Sequence, residues 1–291
     1  MSANITTYRK VAFGTANPPV NALEWFGDLN FGKRGTVIVL EGVRGTRSRI
    51  VERTRDGLYT VGGVLQLQPC YLDLDTILPL IAGGTKSTNN IPFTELLPTF
   101  YVGIDKGAAQ YLYSGCKTSV AVFSGSTGNP LSLQWGIEGL TETPGTISGL
   151  TALTPSVVTP YMFHDAVLTI ASTSYEFREC QVSIDHHLIL DRFMNSQSRT
   201  ELPETDRTVT VALSLPYNST TLALYDTGVT SAAVVLTWTN GSLFFKITLP
   251  AVQFPAQPPQ MPARGEAMLP LVGVARKTGS TLEITFDNKS S

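Results

Sequence analysis

Period-two alternation of apolar and polar residues most limits what this chain can fold into. Leu131, Leu133, Trp135 and Ile137 alternate with Ser132, Gln134, Gly136 and Glu138. Successive strand side chains point to opposite faces, so this spacing predicts a strand with one buried face and one polar face. The same rhythm runs through Arg207–Leu215, where Val209, Val211, Leu213 and Leu215 alternate with Thr208, Thr210, Ala212 and Ser214. Near the end, Leu282, Ile284 and Phe286 oppose Thr281, Glu283 and Thr285. The denser apolar runs Val37–Leu40, Ala166–Ile170 and Leu243–Leu249 read as more deeply buried strands, separated by turn signals such as Asp56-Gly57 and Asn240-Gly241. The fold class expected is all-β.

Helices are scarce in this pattern. Asp75–Ala82 has Asp75 or Thr76 as a cap, stops at Gly83-Gly84 and contains Pro79, which argues for a brief helix. Asn218–Thr227 begins at Asn218 or Ser219 and stops at Gly228. The surroundings of these two segments suggest an internal repeat. In the first half, Arg47-Ser48-Arg49, a strand over Tyr59–Gln68, Pro69, Tyr71, a short helix and Gly83 follow one another. In the second, Ser198-Arg199, a strand over Thr208–Leu215, Pro216, Tyr217, a short helix and Gly228 do the same. Duplication and a shared turn grammar between two unrelated β-domains both account for this order. A Thr-, Ser-, Gly- and Pro-rich stretch from Pro144 to Pro160 divides the chain into a first domain over 1–145, a linker over 146–160 and a second domain over 161–291. Phe254–Arg264, rich in Pro and Gln, is expected to form an extended surface excursion.

Charge is sparse, at 15% of the 291 residues, and the net charge is −2. Low surface charge suits a protein that buries much of its outside against neighbours. Without a basic excess, tight nucleic-acid affinity is not expected, because such binding rests on neutralising phosphates. Cys70, Cys116 and Cys180 are odd in number and widely spaced, which suits buried thiols better than a disulfide framework or a zinc site. The N-terminal residues lack the apolar core of a signal peptide, and no apolar run approaches the roughly 18 to 20 residues of a membrane helix.

Catalytic constellations are missing from this reading. His186 and His187 are adjacent, so on a strand they face opposite ways, and His164 is remote. No G-x-S-x-G elbow occurs, and Thr85-Lys86-Ser87 lacks phosphate-loop spacing. Asp73 and Asp75 fit the start of a helix better than cation binding. No cofactor or metal is expected, and the chain is not expected to be an enzyme.

Gln181–Asp185, Phe193–Ser196 with Arg199, Asp206–Leu213, and the closing Ala263–Glu266, Ala267–Leu271 and Leu282–Thr285 carry a family likeness. On these residues the second half resembles the tail tube (major tail) proteins of long-tailed bacteriophages, the siphophages. In the first half, Thr60–Leu65 and Ser114–Val120 match in the same way. The resemblance implies two tandem tail-tube-like β-sandwich or barrel domains with short flanking helices, whose inner strands close a β-barrel on oligomerisation. It implies rings stacked into a tube on a tape-measure protein, bounded by tail terminator and tip proteins, through which DNA passes without tight binding. If the repeat is real, the ring is a trimer with pseudo-sixfold symmetry; otherwise it is a hexamer. The implied location is the virion tail, after synthesis in the host bacterial cytoplasm. Two other readings share the composition: another virion β-protein, such as a tail terminator or capsid decoration protein, and a carbohydrate-binding β-sandwich. The latter would expose aromatics on one sheet face, whereas Trp25, Trp135 and Trp238 sit in apolar surroundings.

Two irregular stretches, Arg44–Asp56 and Met194–Asp206, are longer than a tight hairpin needs and mix Arg with Glu and Asp. A planar guanidinium pairs carboxylates bidentately. Arg47, Arg49, Glu52, Arg53, Arg199, Glu201 and Glu204 are therefore the candidate ring-to-ring contacts.

Overall fold

The computed structural model describes residues 9–40, 42, 48, 51–226 and 229–290. The first half contains β1 (Val11–Gly14), β2 (Asn21–Leu23), β3 (Gly32–Val39), β4 (Thr54–Leu67), α1 (Tyr71–Ala82), β5 (Asn90–Ile91), β6 (Phe100–Asp105), β7 (Gln110–Ser126), β8 (Ser132–Gly139) and β9 (Thr141–Pro144). The second contains β10 (Ala166–Ile170), β11 (Thr173–Tyr175), β12 (Glu179–Asp185), β13 (Thr208–Pro216), α2 (Leu222–Asp226), β14 (Val229–Asn240), β15 (Leu243–Phe254), β16 (Met268–Ala275) and β17 (Thr285–Lys289). The strands form one connected antiparallel network, so the all-β expectation holds.

The pairing scheme of the first half recurs in the second. The pairs β1–β2, β1–β6, β3–β4, β4–β8, β6–β7, β7–β8 and β7–β9 have counterparts in β10–β11, β10–β14, β12–β13, β13–β16, β14–β15, β15–β16 and β15–β17. The irregularities coincide as well. Between β6 and β7 the register shifts from Phe100↔Cys116 to Val102↔Tyr113, and between β14 and β15 from Ala232↔Val252 to Val234↔Leu249. The spacing from Lys117↔Glu138 to Ser124↔Ser132 is likewise that from Gln253↔Val274 to the bridge Gln260↔Met268. The halves are joined by β12, which pairs with β7 from Glu179↔Ser126 to Asp185↔Val120, and by β17, which pairs with β5.

Alternation places the core as expected. Leu131, Leu133, Trp135 and Ile137 are buried, as are Val209, Val211, Leu213, Leu215, Ile284 and Phe286. Trp135 stacks on Phe100 and meets Phe13 edge-on, with both ring centroids 5.4 Å away. Its indole N–H donates to Thr118 Oγ1 at 2.9 Å, and the Thr118 hydroxyl donates to the Leu80 carbonyl at 3.0 Å. A buried indole N–H without a partner would be costly, so this relay ties β8 to α1 through β7. The three cysteines are free and buried, and burial pushes the Cys180 thiol up to about 12.

Three expectations need correction. First, α1 starts at Tyr71, not at Asp75, because the Asp73 carboxylate accepts the Cys70 N–H at 3.1 Å and closes a turn upstream. Leu74, Ile77, Leu78 and Ile81, spaced as one helical face, are buried. The stop is as read: Gly83 takes φ 87°, and its N–H reaches the Pro79 carbonyl at 2.9 Å. Second, α2 is shorter than Asn218–Thr227. Asn218 Oδ1 accepts the Thr220 and Thr221 N–H groups in the turn before it, and Thr227 lies outside the described residues. Third, Val37–Leu40 is not buried. Val37, Ile38, Val39 and Leu40 are 62%, 50%, 41% and 55% exposed, because β3 has β4 on one side and, among the described residues, no second strand pairs with it. The stretch between the halves is partly docked, with Ile147 and Leu150 packed on Ala12.

Asp75 receives Lys86 Nζ at 2.5 Å and Asn288 Nδ2 at 2.6 Å, so α1 anchors both the turn that follows it and the last strand. His186 is buried beside the Ile81 carbonyl at the C-terminal end of the same helix. Burial, then the neighbouring Arg207 charge, lowers its pKa from 6.5 to about 4. His187 faces outward, with Nε2 3.0 Å from Thr208 Oγ1. The folded state therefore refuses a proton that the unfolded chain accepts. Stability is unaffected by His186 above its ordinary pKa, falls as pH drops through the interval between 6.5 and about 4, and levels below it. The loss should amount to about 3 kcal/mol. Denaturant titrations from pH 7 to pH 4 should show a shallower decline in His186→Gln than in the parent; equal slopes would remove His186 from the acid response.

Candidate assembly interface

The expected contact residues fall into three settings. Arg47 and Arg49 lie outside the described residues. Glu52 and Arg53 form the 3-10 turn Val51–Arg53 that leads into β4, at the far end of the β3–β4 arm. There the Leu40 N–H meets the Arg53 carbonyl at 3.0 Å, while Glu52 is exposed and Arg53 half-buried. Arg199, Glu201 and Glu204 lie in the long connection between β12 and β13, which folds back over the first half.

That connection spends most of its polar groups within the chain. Arg199 is 6% exposed; Nη1 reaches Glu138 Oε2 at 2.5 Å and Nε donates to the Leu190 carbonyl at 2.8 Å. Glu204 takes Lys117 Nζ at 2.7 Å and the Leu97 N–H at 2.9 Å. Burial pushes the Glu204 carboxyl up, but these donors outweigh it and the net shift is downward. The Tyr59 N–H donates to the Gln197 carbonyl at 2.8 Å, and Gln197 Nε2 donates to the Asp56 carbonyl at 3.1 Å. Glu201 differs: it pairs with Arg192 at 3.1 Å on the exposed side.

Sequence reasoning missed the edges themselves. Gly32–Arg34, the start of β3, pair with β4 on one side, and residues 28–31 before them have no strand partner among the described residues. A cleft of 1320 Å³ opens along them, lined among others by Trp25, Phe26, Leu29, Lys106, Tyr111 and Val157. Residues 255–262 continue past β15 with a single bridge, Gln260↔Met268, and otherwise without strand partners among the described residues. The Pro255, Pro258, Pro259 and Pro262 cluster was the available signal, since proline inside a sheet marks an edge. Among the described residues, no group of three or more His, Cys, Asp or Glu side chains could hold a metal ion, and no helix is long and apolar enough to cross a membrane.

The burial difference between the two ion pairs has a measurable consequence. Arg199→Ala leaves Glu138 facing an uncompensated, largely buried site and should cost about 3 kcal/mol in denaturant unfolding. Glu201→Ala, on an exposed pair, should stay within about 0.5 kcal/mol of the parent. Equal effects would mean that the Arg199 contact contributes no more than a surface pair.

No curated protein matches the chain in a sequence comparison. A family model described as phage tail tube protein matches residues 5–287, nearly the whole length, and an all-β architecture of long antiparallel strands stands behind the match. The chain belongs to the phage tail tube protein family, whose members are structural components of the phage tail.

Proposed function

We propose that this protein self-assembles into rings that stack into the phage tail tube, and that each ring is a trimer with pseudo-sixfold symmetry. The observation carrying the trimer is the recurrence of seven strand pairings, with coincident register shifts, in the two halves of one chain. The boundaries that suit this reading are tube domains over 1–145 and 161–291 with the intervening 146–160 as connection. Two quasi-equivalent domains per chain and three chains place six tube domains around the axis. A ring of this kind requires a heterologous interface whose rotation closes, and a closed barrel leaves no free strand edge.

In this reading the chain performs no catalysis and works as a conduit for the genome. Its tail partners are a tape-measure protein inside the tube and terminator and tip proteins at its ends. A channel should not hold its cargo, and the net charge of −2 suits that role. Assembled tubes should bind duplex DNA weakly at physiological salt. Tight binding that falls steeply with added salt would overturn the inert lumen.

The β3–β4 arm is the better ring-to-ring contact of the two long loops. Its exposed Val37, Ile38, Val39 and Leu40 are followed in the sequence by Arg47, Arg49, Glu52 and Arg53. Apolar side chains flanked by charges suit a surface that is covered on assembly. Arg199 and Glu204 act within the chain, and exposed Glu201 remains a candidate from the second loop. Replacing Arg47–Arg55 with a two-residue turn should preserve the fold and leave short rings without long tubes under negative-stain microscopy. Tubes of normal length from the shortened protein would place the stacking surface elsewhere.

A further inference from the structure

The pairing of β12 with β7 inside the chain provides a template for the contact between chains. Of the two strand pairings that join the halves it is the longer, with seven residue pairs against two for β5–β17, and it has no counterpart elsewhere among the described residues. Its two strands do have counterparts. Leu67↔Leu133 in the first half corresponds to Leu215↔Leu269 in the second, which aligns β4 with β13 and β8 with β16. Through Gly32↔Gly62 and Ser183↔Thr210, Glu179–Asp185 then corresponds to residues 28–34. Through Ser124↔Ser132 and Gln260↔Met268, Val120–Ser126 corresponds to residues 256–262.

Resting on the ring reading above, we propose that residues 28–34 of one copy add as an antiparallel strand to residues 256–262 of the next copy, in the register of the internal β12–β7 pair. That register sets Asp28 opposite Pro262, Asn30 opposite Gln260, Gly32 opposite Pro258 and Arg34 opposite Ala256. Both segments are edges in the isolated chain. One faces the 1320 Å³ cleft, and the other is held by a single bridge. The occupant is a second copy because the chain already makes this contact once with its own other half. A unit that offers one edge and accepts at the other propagates head to tail until the rotation closes.

The hydrogen-bonding directions agree. Gln260 gives its N–H to the Met268 carbonyl at 2.7 Å and accepts the Met268 N–H at 3.0 Å, so both of its backbone groups point away from the free edge. Strand alternation then turns the backbone groups of Pro259 and Met261 toward an incoming strand. Pro259 offers only a carbonyl there. One ladder bond is lost, and in return the free edge is poor at pairing with unrelated strands before assembly.

Because Gln260 is bonded on its other side, Asn30 and Gln260 form a non-hydrogen-bonded pair, whose close Cα approach suits a disulfide. Both side chains are exposed, so Asn30→Cys and Gln260→Cys should leave the fold intact. The native thiols are buried, with raised pKa values, and stay silent. The double variant N30C/Q260C, assembled and then oxidised, should give covalent dimers and trimers on a non-reducing gel, and nothing larger. It should cross-link about tenfold more than the misregistered pair N30C/Q253C. Tubes that are normal by microscopy yet do not cross-link, or that cross-link equally in both variants, overturn the register and leave the ring reading standing. A disulfide formed within dilute monomer overturns the inter-copy contact. A ladder extending to six chains overturns the trimer, and failure of the parent protein to assemble at all removes the ring reading itself.

Discussion

Backbone hydrogen bonding across the β7–β12 seam is the constraint on which the rest of the structure depends. Seven residue pairs, from Glu179↔Ser126 to Asp185↔Val120, fuse the two halves into one network. Without them the upper part of β7 would be a free edge, exposing N–H and C=O groups that demand partners. Once the seam forms, the connection after β12 is delivered onto the first half, where Arg199 meets Glu138 and Glu204 meets Lys117.

The helix α1 has a comparable role under the sheet. Its buried face packs into the shared core, its last turn holds Thr118 and hence Trp135, and Asp75 ties down Asn288 of β17. His186 is buried against the end of the same helix, and that burial lowers its pKa. Among the described residues the second half has no equivalent of α1. Its helix α2 has five residues, none of them buried. A single long helix serving both halves fits a chain in which two similar β-units have become one cooperative body.

That asymmetry sits beside a symmetry in the sheet. The strand pairings, and even the register shift near Cys116 and its counterpart near Val252, repeat. The loops do not repeat: the β3–β4 arm carries exposed Val37–Leu40 outward, whereas the β12–β13 connection folds back. Loops tolerate such divergence because they run over the surface, while the strand scaffold is held by its pairing.

By itself, the sequence determined which side of each strand is buried. Alternation at Leu131–Glu138 and Arg207–Leu215 states it directly, since side-chain direction has period two. The stop of α1 at Gly83 was equally legible, because only a residue without a Cβ takes that left-handed turn at no cost. Its start was not, because Asp73 back-bonding to Cys70 depends on where β4 ends. The burial expected of Val37–Leu40 failed for a related reason: apolar character signals that a surface will be covered, not whether the cover lies in the same chain. The charge on Arg199 likewise did not say that its carboxylate would be Glu138, 61 residues away. Which edges pair was decided only in three dimensions. Strand edges are joined through backbone groups that every non-proline residue shares, so the sequence marks faces by side chain but leaves edges almost unlabelled.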